Sequence, residues 1–251
     1  METITVSVDE NVSTIEIDRP DVLNALNSQV RVELTAAIRE ANETDSTRAV
    51  VITGSGERAF SAGQDINESQ DFHEEDAEEW VREFDSLYAE ILSLDIPVVA
   101  KLNGVATGSG FQVALLCDIR IASADATVGM NEINIGIPCI LGGWMIERVA
   151  GYMAAVELTL TGELVSAERA REIELINRVV SAEKLDETVD ELAENLATKP
   201  PVSMKWQKKW LRELRFDDSF ETVSRRSEEI HSEVYQSGEP ETYMKKFLDG
   251  E

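Results

Sequence analysis

The first residues of the chain alternate between apolar and polar side chains. The alternation runs over residues 3–8 and again over residues 12–18, with the polar segment Asp9-Glu10-Asn11 between the two runs. Period-two alternation on both sides of a short polar turn is typical of a β-hairpin. We therefore predict two paired strands at the start of the chain.

Helical periodicity follows the hairpin. Apolar residues recur at the spacing of one helix face, at Val30, Leu34, Ala37, Ile38 and Ala41. Ser28 precedes them at the position of an N-cap. The next apolar run, residues 48–53, predicts a short buried strand before a glycine turn. Strands that alternate with helices indicate an α/β protein with parallel pairing.

The most informative stretch is 96–136. An apolar strand at 97–100 leads into a glycine-rich turn at 103–110 and then into an apolar helix at 111–117. The first N–H groups of such a helix have no intrahelical partner, so they can hold a negative charge. On glycine spacing alone, an ordinary strand-to-helix turn is the preferred interpretation. Downstream, Glu132 is a lone acid among apolar residues, which predicts a raised pKa.

The rest of the chain has a largely helical pattern. We predict a helix within 67–94, two helices that break near Gly151, and another that Ser166 caps. Residues 179–180 end the core. Amphipathic patterns then predict helices over 182–197, 201–214 and 240–248.

Composition narrows the class of protein. At 251 residues the chain can form one large core, and no apolar run approaches the ~18 residues that span a membrane. Met1 leads directly into a strand without an export leader, which favours the cytoplasm. Cys117 and Cys139 lie in apolar segments and are predicted to be packed free thiols. His73 and His231 are far apart in sequence, which argues against a metal site or a histidine relay, and both are predicted to lie on the surface.

The charge is extreme. The chain has 49 acidic and 23 basic residues, a formal net charge of −26. This field repels phosphate backbones, so we exclude nucleic acid as a partner. The acids are spread along the whole chain and lysine is scarce. We therefore expect a halophilic protein, in which salt screens the self-repulsion.

Three motifs together resemble one family. FSAGQDI at 60–66, NGVATGSGFQVALLCDIRIAS at 103–123 and VGMNEINIGIP at 128–138 occur in the order and at the spacings of the crotonase (enoyl-CoA hydratase/isomerase) superfamily. The likeness runs from residue 15 to the C-terminal helix. It implies an α/β fold, the crotonase-like spiral of ββα units with a helical C-terminal region. It also implies a core over 1–195, a trimerisation region over 196–251, and a homotrimer or dimer of trimers.

The resemblance also implies a function and a site. The expected substrate is an acyl-CoA thioester, with coenzyme A as part of the substrate and no tightly bound cofactor, metal or membrane partner. The backbone N–H groups of Gln64 and Ser109 would form the oxyanion hole, with Glu132 as acid/base beside Gln112. The residues expected near coenzyme A are Arg58, Ala62, Asp65, Ile66, Lys245 and Phe247. For Asp65, a helix cap is the preferred interpretation.

Gln112 departs from the family pattern. Hydratases of this family carry a glutamate there, because adding water across C2=C3 needs two proton transfers. An amide cannot exchange a proton at neutral pH. Glu132 alone could shuttle one proton as in an isomerase, or it could hydrate slowly. The chain could instead be a catalytically weak acyl-CoA binder or scaffold, and Glu132 could be a structural acid. Glu174 replaces a family glycine at a helix end.

Overall fold

Two β-sheets form the framework in residues 1–69, 74–216 and 219–250, the part of the chain that the computed structural model describes. The strands are β1 (Ile4–Asp9), β2 (Val12–Ile17), β3 (Ala49–Gly54), β4 (Ala59–Ser61), β5 (Val98–Leu102), β6 (Val105–Thr107), β7 (Ile119–Ser123), β8 (Thr127–Gly129), β9 (Val165–Ser166) and β10 (Arg178–Val180). The six-stranded sheet has the order β1-β2-β3-β5-β7-β10, and the four-stranded sheet has the order β4-β6-β8-β9. Strands β1 and β2 pair antiparallel, with Ile4 opposite Ile17, which confirms the predicted hairpin.

Helices cover the sheets and form the end of the chain. They are α1 (Ser28–Glu43), α2 (Ile66–Ser69), α3 (Glu74–Ser93), α4 (Gly108–Leu116), α5 (Ile140–Ala150), α6 (Tyr152–Thr161), α7 (Ala167–Glu172), α8 (Ala182–Ala197), α9 (Pro201–Phe216), α10 (Ser219–Ser237) and α11 (Glu239–Asp249). The break at Gly151 is as predicted. The predicted boundary between 195 and 196 falls in the last turn of α8, and the division into two regions stays a prediction.

The chain repeats one unit of two strands and a helix. Strand β3 lies in the large sheet, β4 in the small sheet, and α3 returns the chain to the start of β5. Strands β5 and β6 followed by α4 repeat this path, and β7 and β8 begin it again. Strands β2, β3, β5, β7 and β10 are parallel neighbours. Each unit therefore contributes its first strand to the large sheet and its second strand to the small sheet.

The central strands are buried on both faces. Successive side chains of a strand point to opposite faces, so each strand contributes to two apolar clusters. Val98, Ala100 and Leu102 of β5 pack into the main core with α1, α3 and α4. Val99 points the other way and packs against Leu185 of α8. The continuous apolar run that predicted this strand follows from its two buried faces.

One helix start differs from its prediction. Asn27, not Ser28, caps α1, and its side chain accepts a hydrogen bond of 3.0 Å from Val30 N. The Ser166 cap is confirmed, with a bond of 3.2 Å from Arg169 N. Glu174 holds a left-handed conformation, φ 67°, where the family has glycine. The turn thus forms in spite of a side chain that disfavours it.

A buried arginine fixes the C-terminal end of α4. Arg120 is 3% exposed, and its guanidinium donates hydrogen bonds to the carbonyls of Ala114, Leu115, Cys117 and Leu175. These carbonyls include the last of the helix, which lack intrahelical partners and carry partial negative charge. Arg120 therefore stabilises α4 at the end opposite the glycine-rich turn.

Candidate active site

The two glycine-rich segments meet at the start of α4. Thr107 Oγ1 donates a hydrogen bond of 3.0 Å to the Ala62 carbonyl, and a Cβ built on Gly63 would lie 3.3 Å from Ser109 N. Gly63 and Gly108 have φ of 86° and 51°. L-residues rarely adopt such values. The local backbone therefore requires glycine at both positions.

The hydrogen bonds described around Gln64 and Ser109 leave both main-chain N–H groups without an acceptor. Leu26 hydrogen-bonds the residues on either side of Gln64: its N–H donates to the Gly63 carbonyl, and its carbonyl accepts from the Asp65 N–H. Ser109 lies in the first turn of α4, where N–H groups lack intrahelical acceptors, and Thr107 makes no side-chain cap.

The Gln64 side chain is held by charged partners. Its Oε1 accepts a bond of 3.1 Å from Arg31, and its Nε2 donates one of 2.9 Å to Glu68. Arg31 is 3% exposed and forms ion pairs with Glu68 and with Glu83 of α3. This network ties the Gln64 segment to α1 and α3.

Glu132 lies in a 3₁₀ turn, Glu132–Ile135, beside the start of α4. A Cβ built on Gly108 would lie 3.5 Å from its Cδ. Gln112 Nε2 donates a hydrogen bond of 2.9 Å to Glu132 Oε1, and Tyr88 donates one of 2.9 Å to Gln112 Oε1. Because Tyr88 supplies the proton to the amide oxygen, the amide nitrogen must face the carboxylate. Tyr88 therefore fixes the orientation of Gln112.

Cys139 is a second donor to the same carboxylate oxygen. Its Sγ lies 3.3 Å from Glu132 Oε1. A Cβ on Gly142 would lie 2.5 Å from that sulfur, so the close packing of α5 requires glycine there. Cys139 is a free thiol as predicted, but its role is not limited to packing, because the thiol hydrogen-bonds the acid. Cys117 is buried as predicted.

Burial raises the pKa of Glu132 above its usual value, and the hydrogen bonds from Cys139 and Gln112 oppose the shift only in part. Its Oε2 is buried and has no hydrogen-bond partner among the described residues. A buried carboxylate oxygen that accepts no hydrogen bond favours the protonated form of the acid. Burial also raises the pKa of Cys139 well above its usual value, so it remains a thiol.

An apolar cavity of about 120 Å³, which opens to solvent, adjoins this carboxylate. Seven of the predicted site residues line it: Ala62, Gln64, Ile66, Ser109, Gln112, Glu132 and Phe247. Aromatic side chains of α3 and residues of α5 and α10 complete the wall. The predicted catalytic and oxyanion-hole residues and three of the residues expected near coenzyme A thus border one space.

Three predicted residues are not among the lining residues of this cavity. Arg58 and Lys245 are exposed. Asp65 is buried, and it forms an ion pair of 2.9 Å with Arg19. Its Oδ1 also accepts a hydrogen bond from Asn67 N at the start of α2, as a cap would.

The prediction for His231 is wrong. It was expected to lie on the surface, but it is 6% exposed and lines the cavity. Helix α10, which carries it, was not predicted, because its few apolar residues are separated by many charged ones. His73 lies outside the described residues. Tyr88 lies within the helix predicted over 67–94, but no local pattern points to its bond with Gln112.

The described residues offer neither a metal site nor a membrane span. They contain no group of three or more histidine, cysteine or acidic side chains placed to hold a metal ion. None of the helices described is both long and apolar enough to cross a membrane.

The family model for enoyl-CoA hydratase/isomerase matches residues 7–249. This chain belongs to that family. A short-chain-enoyl-CoA hydratase of Clostridium acetobutylicum is 32% identical over 240 residues, 95% of this chain and 91% of the relative. A 1,2-epoxyphenylacetyl-CoA isomerase of Escherichia coli is 36% identical over 209 residues, 81% of this chain and 79% of the relative.

A solved structure of an enoyl-CoA hydratase from Mycobacterium avium subsp. paratuberculosis superimposes with a TM-score of 0.89 and 25% identity, covering 98% of this chain and 96% of that one. The predicted crotonase-like fold is confirmed. The chain is therefore an acyl-CoA-processing enzyme of the enoyl-CoA hydratase/isomerase type.

Proposed function

We propose that this enzyme is an enoyl-CoA isomerase, which converts 3-enoyl-CoA thioesters to 2-enoyl-CoA thioesters with Glu132 as the single acid/base group. One observation carries the proposal: among the described residues that line the cavity, Glu132 is the only carboxylate, and Gln112 occupies the place of a second one. One such group can shift a proton along the acyl chain by removing it from C2 and returning it at C4, whereas the hydratases of this family use two carboxylates, which share the deprotonation of water and the protonation of C2.

The reaction follows from this arrangement. Glu132 removes a proton from C2, the electrons of that bond form a dienolate, and the thioester oxygen becomes negative. The N–H groups of Gln64 and Ser109 donate to this oxygen, and each such donor is worth about 2.7–4 kcal/mol of barrier. Glu132 then returns the proton to C4, which leaves the double bond between C2 and C3. Gln112 and Cys139 hold the carboxylate in place throughout.

Hydration of 2-enoyl-CoA is the second candidate. The identity to the short-chain-enoyl-CoA hydratase favours it. Glu132 would then have to deprotonate water and protonate C2 without a second carboxylate. We expect this reaction to be the slower one. If neither reaction is observed, the protein is an acyl-CoA binder without turnover.

The partners of the site are also part of the proposal. Arg58 and Lys245 would bind the phosphates of coenzyme A through charge-assisted bonds. We propose the homotrimer or dimer of trimers as the assembly. The exposed apolar row of α9 supports contact between copies: Val202, Trp206, Trp210 and Leu214 are each more than half exposed at four-residue spacing.

Arg58→Ala tests whether this arginine binds the phosphates of coenzyme A. We expect acyl-CoA to bind about tenfold more weakly in calorimetry, since one phosphate contact is lost. Arg178→Ala, an exposed arginine at the start of β10, is the control. Equal affinity in the Arg58 variant would remove this residue from the proposed site.

Glu132→Gln tests the proton transfer. We expect isomerisation to fall by at least ~10²- to 10⁴-fold, the usual contribution of a general base, while acyl-CoA affinity stays within about twofold. Rates follow from the gain of the conjugated enoyl chromophore, and calorimetry gives the affinity. A variant that keeps its isomerase rate would show that Glu132 is structural.

Gln112→Glu distinguishes the two reactions. Restoring a second proton-transferring group should raise hydration of trans-2-enoyl-CoA and change isomerisation little. Rapid hydration by the unmodified enzyme, with no gain in this variant, would identify the enzyme as a hydratase in which the amide suffices.

A further inference from the structure

Three aromatic side chains follow one another along α3 and line the cavity: Trp80, Phe84 and Tyr88. Neighbouring ring centroids are 5.8 Å and 5.7 Å apart. Since a helix rises 1.5 Å per residue, the row covers about 12 Å. The cavity wall therefore has two ends, one at Tyr88 and one at Trp80.

The two ends differ in chemistry. At the first, Tyr88 contacts Gln112, which contacts Glu132, so this is the reacting end. At the second, the His231 ring lies 5.3 Å from that of Trp80, and Ser227 is one helical turn before it. Ser227 and His231 are 1% and 6% exposed and both line the cavity. The remote end of an aromatic wall is thus polar.

The hydrogen bonds of His231 fix its tautomer. Nδ1 lies 2.8 Å from the Ser227 carbonyl oxygen and 3.2 Å from Ser227 Oγ. A carbonyl oxygen can only accept, so Nδ1 carries the proton. Burial lowers the pKa of His231, which keeps the ring neutral. Nε2 is then an acceptor, and no hydrogen bond to it occurs among the described residues.

We propose that the enzyme prefers acyl-CoA thioesters whose acyl group ends in a hydroxyl, and that His231 Nε2 accepts the hydrogen bond of that hydroxyl. This rests on the proposed function, because it places the acyl chain along α3 with the thioester near Glu132. A methyl-ended chain of the same length would leave a buried acceptor unpaired, which is unfavourable. A chain that ends in a carboxylate brings no donor to a neutral imidazole.

The test compares pairs of 3-enoyl-CoA substrates from six to twelve acyl carbons, one methyl-ended and one with a terminal hydroxyl. At the chain length that reaches His231, we expect kcat/KM to be about 5- to 20-fold higher for the hydroxylated member. At shorter lengths the methyl-ended member should be better. Calorimetry with the saturated pairs measures the same preference without chemistry.

Variants then assign the preference to His231. His231→Phe should abolish it, His231→Gln should keep part of it because the amide oxygen can accept, and Arg225→Ala, an exposed position on α10, should leave it unchanged. Should His231→Phe fail to fold, the unmodified enzyme and His231→Gln decide.

The two proposals fail separately. Turnover of both members with no hydroxyl preference at any length would overturn this inference and leave the isomerase intact. Binding without turnover would contradict the isomerase, whereas the calorimetric preference would still support or overturn the role of His231.

Discussion

Tyr88 acts on the acid through one intermediate side chain. Its hydroxyl fixes the Gln112 amide, and the amide N–H then favours the ionised form of Glu132. Without the hydroxyl, the amide can turn its oxygen toward the carboxylate, where it disfavours the charge. Tyr88 is therefore a positioning residue whose loss should appear in a pH profile.

For the unmodified enzyme we expect kcat/KM of isomerisation to rise with pH as Glu132 loses its proton, with a midpoint above the usual value of a glutamate. Tyr88→Phe should move this midpoint up by about half to one pH unit, since one net hydrogen bond is worth about 1 kcal/mol. Tyr152→Phe, on an exposed tyrosine, is the matched control. A lower rate with an unchanged midpoint would mean that Tyr88 only packs.

At the scale of elements, the contact between α3 and α10 includes a largely buried acid, Asp85. Ser224 Oγ donates a hydrogen bond to Asp85 Oδ2, and Asp85 Oδ1 is buried without a partner among the described residues. Burial raises the pKa of Asp85 to about 6, and nearby Glu228 adds to the shift. The folded state thus binds a proton more tightly than the unfolded state, so stability is lost as pH rises through about 6.

Asp85→Asn should remove this penalty. At pH 8 we expect the free energy of unfolding to rise by about 1–2 kcal/mol, a figure reduced for partial exposure, and at pH 4 we expect no gain. Asp45→Asn at an exposed position changes the net charge equally and serves as control. Denaturant unfolding at both pH values measures the difference. A gain of equal size at pH 4 would show that charge at Asp85 is not the cause.

The sequence predicts best those parts of the candidate site that lie within one short segment of the chain. The turn at Gly108 and the run around Glu132 lie within single motifs, and the structure brings both to the start of α4. Helix periodicity also places Tyr88 on an inner face. It cannot give the partner of the hydroxyl, because Gln112 comes from another ββα unit.

The far wall of the cavity depends on contacts between remote parts of the chain. Helix α10 has an apolar side, which includes Phe220, Val223 and Tyr235, and this side packs on the core. Its other residues are mostly charged, so the apolar pattern of α10 is too weak to predict this helix from the sequence. Ser227 and His231 are buried only by this packing, which explains why sequence reasoning placed His231 on the surface.

At the scale of the whole molecule, net charge and assembly are linked. Each chain carries a formal charge of −26, so bringing copies together costs electrostatic energy that salt removes. We predict that the melting temperature rises continuously from about 0.1 M to about 3 M potassium chloride, as halophilic behaviour requires. Over the same series, light scattering should show trimers or hexamers at high salt and smaller species at low salt.

Trp210→Glu separates the two effects. It adds a charge to the exposed row of α9 and should keep the protein monomeric at high salt, while the monomer still gains stability from screening. A melting temperature that does not respond to salt would contradict halophilic behaviour. An unchanged assembly of this variant would exclude the α9 row as the contact.

The cavity is lined by residues from Ala62 to Phe247, so its parts leave the ribosome at very different times. About 185 residues separate the first from the last, and at ~5–20 residues per second their synthesis takes roughly 10 to 40 s. During that interval the nascent chain presents the aromatic row of α3 without α10 to cover it. The cavity is therefore complete only after residue 247 has been synthesised, and until then the aromatic row of α3 is an exposed apolar surface of the kind that chaperones bind.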